Sequence, residues 1–110
     1  MKYIIKESQI NNVVFWYLNS QDFVQTEVGL YSILFFNSES DGYAQIRYDK
    51  DDGWCGINRH LAVEISSYFS LGLYESAQVI INWVEDTLKV KVADSNILAV
   101  ENFHLLKIPV

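Results

Sequence analysis

The chain has 110 residues, of which 50% are hydrophobic and 15% aromatic, with a single proline; this composition excludes a disordered chain and predicts one packed domain. A net charge of −6 repels phosphate backbones and anionic lipid surfaces, so nucleic acid and membranes are poor candidate partners. The single cysteine excludes an intramolecular disulfide, and residues 1–8 lack the continuous apolar stretch of a signal peptide. We therefore expect a cytoplasmic protein.

The first part of the chain predicts one strand and two ambiguous segments. Residues 2–6 alternate apolar with polar side chains, which predicts a short strand. Apolar residues then recur at helical spacing, namely Ile10, Val13, Val14, Tyr17 and Leu18. The β-branched and aromatic run at 13–17 suits a buried strand as well, so helix and strand both stay open there and at 23–28.

A hairpin is predicted next. Residues 30–36 form its first strand, the polar residues 37–42 its turn, and residues 43–48 its second strand. Alternation in the second strand predicts two faces: Ala44, Ile46 and Tyr48 on one, and Tyr43, Gln45 and Arg47 on the other. One face of the sheet should therefore meet solvent.

Residues 49–53 predict an exposed loop that leads through residues 54–56 to a helix capped by Asn58 and ended by Gly72. The buried stripe of this helix is predicted to be Leu61, Ala62, Ile65, Tyr68 and Phe69. A second helix follows, with apolar positions at Ala77, Ile80, Ile81, Val84 and Leu88.

The end of the chain predicts a turn at residues 93–96 and one or two closing strands within residues 97–108. Strands before and after a pair of helices are typical of an α+β fold. We expect a mostly antiparallel sheet with two or three helices packed on one face.

Two acidic segments resemble calcium loops but fail the ligand test. Asn37, Glu39, Asp41 and Gly42 match the start of an EF-hand loop, yet its twelfth position holds Tyr48 instead of a bidentate carboxylate. Residues 49–53 place their glycine one position early. Both segments are therefore interpreted as exposed acidic turns, and no metal or cofactor is expected.

Catalytic motifs are weak throughout. Cys55 and His60 would need to be in contact to act as nucleophile and base, and a cysteine between tryptophan and glycine is more typical of a packed core residue. His104, in a predicted strand, is typical of a structural or surface histidine. We expect no catalytic residue and no enzyme.

The strongest functional signal is the segment 39–52, which carries half of the chain's net charge. Five acids, Glu39, Asp41, Asp49, Asp51 and Asp52, stand against two bases. Aromatic residues lie within it or next to it, at Tyr43, Tyr48 and Trp54. Carboxylates beside large aromatics are typical of a surface that binds a basic protein, so these eight residues are the predicted partner-binding site. In the alternative interpretation Tyr48 and Trp54 are core residues and the acids only flank a hairpin.

In size, acidity and lack of catalytic motifs, the chain resembles the immunity proteins that bacteria keep against toxic nucleases. The resemblance is one of class and implies an acidic inhibitor that covers the active site or substrate surface of a basic toxin. Two alternatives stay open. One is a ligand-binding or enzymatic domain with a pocket lined by Trp16, Tyr17, Trp83 or Phe103; the other is a structural subunit of a homo-oligomer, marked by an exposed apolar patch.

Overall fold

The computed structural model describes residues 9–37, 42–99 and 106–107. Within this part of the chain, three helices and a five-stranded sheet form the predicted α+β fold. The elements are α1 (Ile10–Asn19), β1 (Val24–Val28), β2 (Ser32–Phe36), β3 (Ile46–Asp49), β4 (Trp54–Asn58), α2 (Arg59–Phe69), α3 (Leu73–Leu88) and β5 (Asp94–Leu98). The strand predicted at 2–6 lies outside the described residues, as do residues 100–105 of the closing strands.

The sheet has the order β1-β2-β3-β4-β5. Each of the first four strands pairs antiparallel with the next one in the chain, whereas β5 runs parallel to β4 after the chain has crossed over through α2 and α3. Cross-strand register places Phe35, Ile46, Ile57 and Ile97 in one row. This row belongs to the inner face, the face that packs against the helices.

The α3 helix contributes more side chains to the core than either of the other two helices. Its predicted positions Ala77, Ile80, Ile81 and Val84 are buried, and Leu88 is half-buried. Trp83, which the pattern missed, is also buried, and its ring lies 5.5 Å from that of Phe35. Aromatic contacts at this separation add stabilisation beyond the area they bury.

The helical interpretation of residues 10–18 is confirmed and the strand alternative is wrong. Val14 and Leu18, one helical turn apart, are fully buried, whereas Trp16 points outward. Helical spacing therefore decided the structure over the strand preference of the individual residues. A strand would place Trp16 on the same face as Val14 and Leu18, whereas a helix buries Val14 and Leu18 and leaves Trp16 exposed.

The second strand of the predicted hairpin begins at Ile46 instead of residue 43, because the backbone bends at Gln45. The N–H of Gln45 donates to the Phe35 carbonyl, but the N–H of Ala44 turns to the Leu106 carbonyl, 2.7 Å away. Ala44 consequently packs with Leu34 and Leu106 on the other side of the sheet from Ile46. The prediction that Ala44 and Ile46 share a face was wrong.

Two predicted loops are strands. Residues 54–56, expected to lead to a helix, open β4, and the turn expected at 93–96 contains the start of β5. A glycine inside a strand weakens its sequence signal, and Gly56 has a packing reason: a Cβ there would stand 2.5 Å from the Trp54 ring. The indole of Trp54 lies against the backbone at Gly56.

Asn58 caps α2 as predicted. The side-chain oxygen of Asn58 accepts a hydrogen bond from the N–H of His60 at 2.9 Å, and Asn58 is buried. The predicted stripe is buried except for Tyr68, which is exposed. The helix ends at Phe69, followed by Ser70 in the left-handed conformation. The expectation that Gly72 ends α2 was wrong, because Gly72 is the N-cap residue of α3.

We expect Asn58→Ala to lower the free energy of unfolding by about 1 to 2 kcal/mol, because the N–H of His60 loses its acceptor. Asn58→Ser, which keeps an acceptor oxygen, should lose less. Urea unfolding followed by circular dichroism measures both. Equal stability of Asn58→Ala and the parent protein would contradict the capping role.

Candidate functional site

The structure divides the acidic segment 39–52 between two ends of β3. Asp51 and Asp52 lie in the turn between β3 and β4. Tyr43 precedes β3 and so lies beyond the opposite end of that strand. Its ring is half-buried and has the Lys107 ammonium 5.3 Å from its centroid. Glu39 and Asp41 lie outside the described residues, so the site is built from the β3–β4 turn.

Tyr48 belongs to the core and not to a binding surface. It is only 4% exposed, and its hydroxyl donates to the Lys91 carbonyl. Burial, followed by the nearby Cys55 and the carboxylates of Asp52 and Glu85, raises the pKa of Tyr48 above its ordinary value. The expectation that Tyr48 anchors a partner was wrong, because its ring fills the inner face of the sheet.

Asp49 projects from the outer face of the sheet and is already neutralised. The Nε of Arg47 lies 2.9 Å from its carboxylate, and the Ser32 hydroxyl donates to the same oxygen at 2.7 Å. Ser32 comes from the neighbouring strand β2 and Arg47 from β3 itself, so the carboxylate is fixed in place. Asp49 therefore adds little net charge for a partner.

Asp51 and Asp52 are exposed and form no ion pair with any described residue. Their hydrogen bonds are local: Asp52 accepts from the N–H of Trp54, and Asp51 accepts from the N–H of Asp52. Oxygens of these two residues and of Asp49 lie within 4.8 Å of one another. Calcium takes six to eight oxygen ligands, however, and Arg47 already binds Asp49. The turn as it stands is an exposed acidic surface.

The β1–β2 turn lies beside the acidic β3–β4 turn and was not part of the site predicted from the sequence. The N–H of Lys50 donates to the Tyr31 carbonyl at 2.6 Å, which joins the β3–β4 turn to the β1–β2 turn. Leu30 and Tyr31 in this second turn are 81% and 52% exposed. The sequence carries a signal for them, because Gly29, with φ of +64°, is the kind of residue that makes a hairpin turn.

The start of β5 adds another carboxylate at the same end of the sheet. Asp94 is exposed and stands opposite Trp54, while the N–H of Ala93 donates to the Gly53 carbonyl at 2.8 Å. Trp54 itself is half-buried, and its Nε1 donates to Asn96 at 2.8 Å. We call the end of the sheet formed by these turns the acidic tip; it comprises Leu30, Tyr31, Asp51, Asp52 and Asp94.

The local charges leave the acidic tip negative. Lys50 pairs with Glu27 at 3.5 Å, so these two charges offset each other. Among the described residues, three exposed carboxylates of the tip then stand near one further exposed cation, Lys91, whose backbone lies beside Gly53. Sequence spacing alone did not indicate Asp94, because it is distant in the chain and was expected to lie in a separate turn.

The structure does not bring Cys55 and His60 together as a nucleophile and base. Cys55 is buried on the inner face of the sheet, whereas His60 is exposed in the first turn of α2. Burial, together with the carboxylates of Glu85 and Asp49, raises the pKa of the Cys55 thiol to about 12. A thiol that is protonated at neutral pH is a poor nucleophile. His104 lies outside the described residues.

The aromatic residues proposed for a pocket point in different directions. Trp16 faces outward from α1, and Tyr17 donates to Glu64 and packs on Tyr68. Trp83 borders a separate cavity of about 270 Å³ between α1, β1 and α3. Phe103 lies outside the described residues. The described aromatics therefore do not share one pocket.

Comparison of the chain with protein-family models, with curated proteins and with solved structures found no match. None of the helices in residues 9–37 and 42–99 is both long enough and apolar enough to cross a bilayer. Function must therefore be argued from the site itself.

The raised pKa of Cys55 predicts a pH dependence of stability. Its neutral thiol contributes stability in full below the ordinary pKa of 9.0, and this contribution is lost as the pH rises towards about 12. In urea unfolding between pH 8 and 11, the free energy of unfolding should fall more steeply with pH for the parent protein than for Cys55→Ala. The fall that remains in Cys55→Ala comes from the other titrating groups. Equal slopes would contradict the burial of a neutral thiol.

Proposed function

We propose that this protein is an inhibitor that binds a basic protein through its acidic tip. The observation that carries the proposal is the placement of Asp51 and Asp52, which lack ion-pair partners among the described residues, beside the exposed Leu30 and Tyr31. The alternative of a pocket lined by Trp16, Tyr17 and Trp83 loses support, because these aromatics do not share a pocket.

Charge supplies the attraction. A protein of net charge −6 with an excess of carboxylates at one end attracts a positive surface over a Debye length of about 8 Å at physiological salt. Such steering raises the rate of association by about 10- to 1,000-fold and weakens as salt is added. The partner is therefore expected to carry clustered lysine or arginine residues.

Leu30 and Tyr31 supply the apolar contact. Binding energy is usually concentrated in a few large side chains that become fully buried, and tyrosine is enriched among them. The hydrogen bond from Lys50 to the Tyr31 carbonyl fixes this turn against the acidic one, so less conformational entropy is lost on binding. The tip thus combines charge with a rigid apolar contact.

The class resemblance identifies the kind of partner. A nuclease holds nucleic acid on a basic surface, and an acidic tip is complementary to that surface. On this proposal the protein is an immunity protein that acts in the cytoplasm and covers the active site or substrate surface of a nuclease-type toxin.

The charge prediction is tested by reversal. Tagged protein is used to capture its partner from source cells, and binding of the identified partner is then measured by surface plasmon resonance. We expect Asp51→Lys/Asp52→Lys to slow association about tenfold or more at low salt, because it replaces two attractive charges by two repulsive ones. The partner's activity should fall to zero at one equivalent of the parent protein.

The matched control is Asp22→Lys/Asp86→Lys, which changes the net charge equally at two exposed positions outside the tip. Its association rate should stay well above that of the tip variant. Equal slowing by both variants would mean that only the overall charge matters, and an active partner at saturation would contradict inhibition.

The apolar prediction concerns dissociation. Leu30→Ala and Tyr31→Ala should each weaken binding by about 1 to 2 kcal/mol, mainly through faster dissociation, because they remove buried contacts and leave the charge unchanged. Val63→Ala, at an exposed apolar position on α2, is the control. Unchanged dissociation in both tip variants would place the binding surface elsewhere. Thermal unfolding should show that all three variants remain folded.

A further inference from the structure

A cleft of about 440 Å³ lies between the start of α2, the first half of α3 and β5. Its volume falls in the range of small-molecule sites. Apolar side chains line its interior, including Ile57, Ala77, Ile81 and Ile97. This cleft is separate from the five residues of the acidic tip.

Arg59 stands at the wall of the cleft and is exposed. No carboxylate of the described residues lies within ion-pair distance of it. Among the described lysines and arginines, Arg47, Lys50 and Lys89 have an acidic partner, whereas Arg59, Lys91 and Lys107 have none, and of these three Arg59 lines the cleft. Its guanidinium carries parallel N–H donors that match the two oxygens of a carboxylate.

Neutral polar groups complete the lining. Asn96 borders the cleft on β5, although its side-chain oxygen accepts from Trp54 on the outer face of the sheet. The amide nitrogen of Gln78 donates to Asn82, which holds the Gln78 side chain along α3. Tyr74 is 84% exposed and borders the cleft. A few polar groups around an apolar interior are typical of a site for a small organic ligand.

We propose that this cleft binds a small organic acid with one carboxylate and an apolar body, the carboxylate pairing with Arg59. A single negative charge matches the single guanidinium. A doubly charged phosphate would leave one charge uncompensated in a protein that already carries −6. The inference is independent of the proposed inhibitor function, because it uses none of the five tip residues.

The test uses phenylacetate as the probe and amide chemical shifts of the full-length protein as the measurement. Phenylacetate should bind with about millimolar affinity and shift the amides of Gln78, Ile97 and Ala99. Phenylacetamide, which has the same ring and no charge, should bind at least about tenfold more weakly. Phenyl phosphate carries the same ring on a doubly charged phosphate. Binding of phenyl phosphate without binding of phenylacetate would overturn the assignment of a carboxylate ligand.

Arg59→Gln should weaken phenylacetate binding about tenfold, and Arg59→Lys should weaken it less. Lys91→Gln removes the same charge from an exposed position that does not line the cleft, so it should leave the affinity nearly unchanged. Absence of shifts at 10 mM phenylacetate, or equal affinity in Arg59→Gln and the parent protein, would overturn the proposal. A spectrum of Arg59→Gln that otherwise matches the parent shows that the variant is folded.

Discussion

Six apolar side chains of α3 lie in the same buried cluster as Phe35, Ile46 and Ile57 of the sheet. Full burial of a large apolar side chain contributes about 1.5 to 3 kcal/mol, and whole domains are stable by only about 5 to 15 kcal/mol. Docking of α3 on the sheet is therefore the contact without which the other elements have no core to pack on. Trp83 connects this contact to Phe35 and Phe23.

The docking of the helices on the inner face of the sheet also shapes the candidate site. The inner side chains of the strands are covered by the helices, so the turns that connect the strands lie past the ends of the helices and are exposed to solvent. The turns at 29–31 and 50–53 meet there because β1 to β4 pair in sequence order with little offset. The acidic tip thus follows from the register of the sheet: residues distant in the chain, such as Leu30 and Asp94, reach one end of the molecule through strand pairing.

Periodic elements could be predicted from the sequence, and elements held by distant pairing could not. α3 and the buried stripe of α2 follow from apolar spacing, and the Asn58 cap from its side-chain chemistry. β4 and β5 carry glycine, asparagine and aspartate, which favour turns locally, and they are strands because each completes the backbone hydrogen bonding of its neighbour. For the site, the exposed Asp51 and Asp52 were predicted, but burial of Tyr48 depends on other strands and on the helices, so spacing along the chain did not reveal it. The ion pair of Asp49 with Arg47, two residues earlier on the same strand, was missed because residue 49 was assigned to a loop.

The parallel pairing of β4 with β5 has a consequence for the order of folding. The antiparallel pairs join neighbours in sequence, whereas β5 reaches β4 only after residues 59–93 have formed the two helices between them. Closing a long loop costs more chain entropy than closing a hairpin, and non-local pairings form more slowly. On the ribosome β1 to β4 emerge first. The edge of β4 that pairs with β5 has no hydrogen-bonding partner until the last quarter of the chain has been synthesised. A translation pause within α3 would therefore prolong the interval in which that edge is open to pairing with another chain.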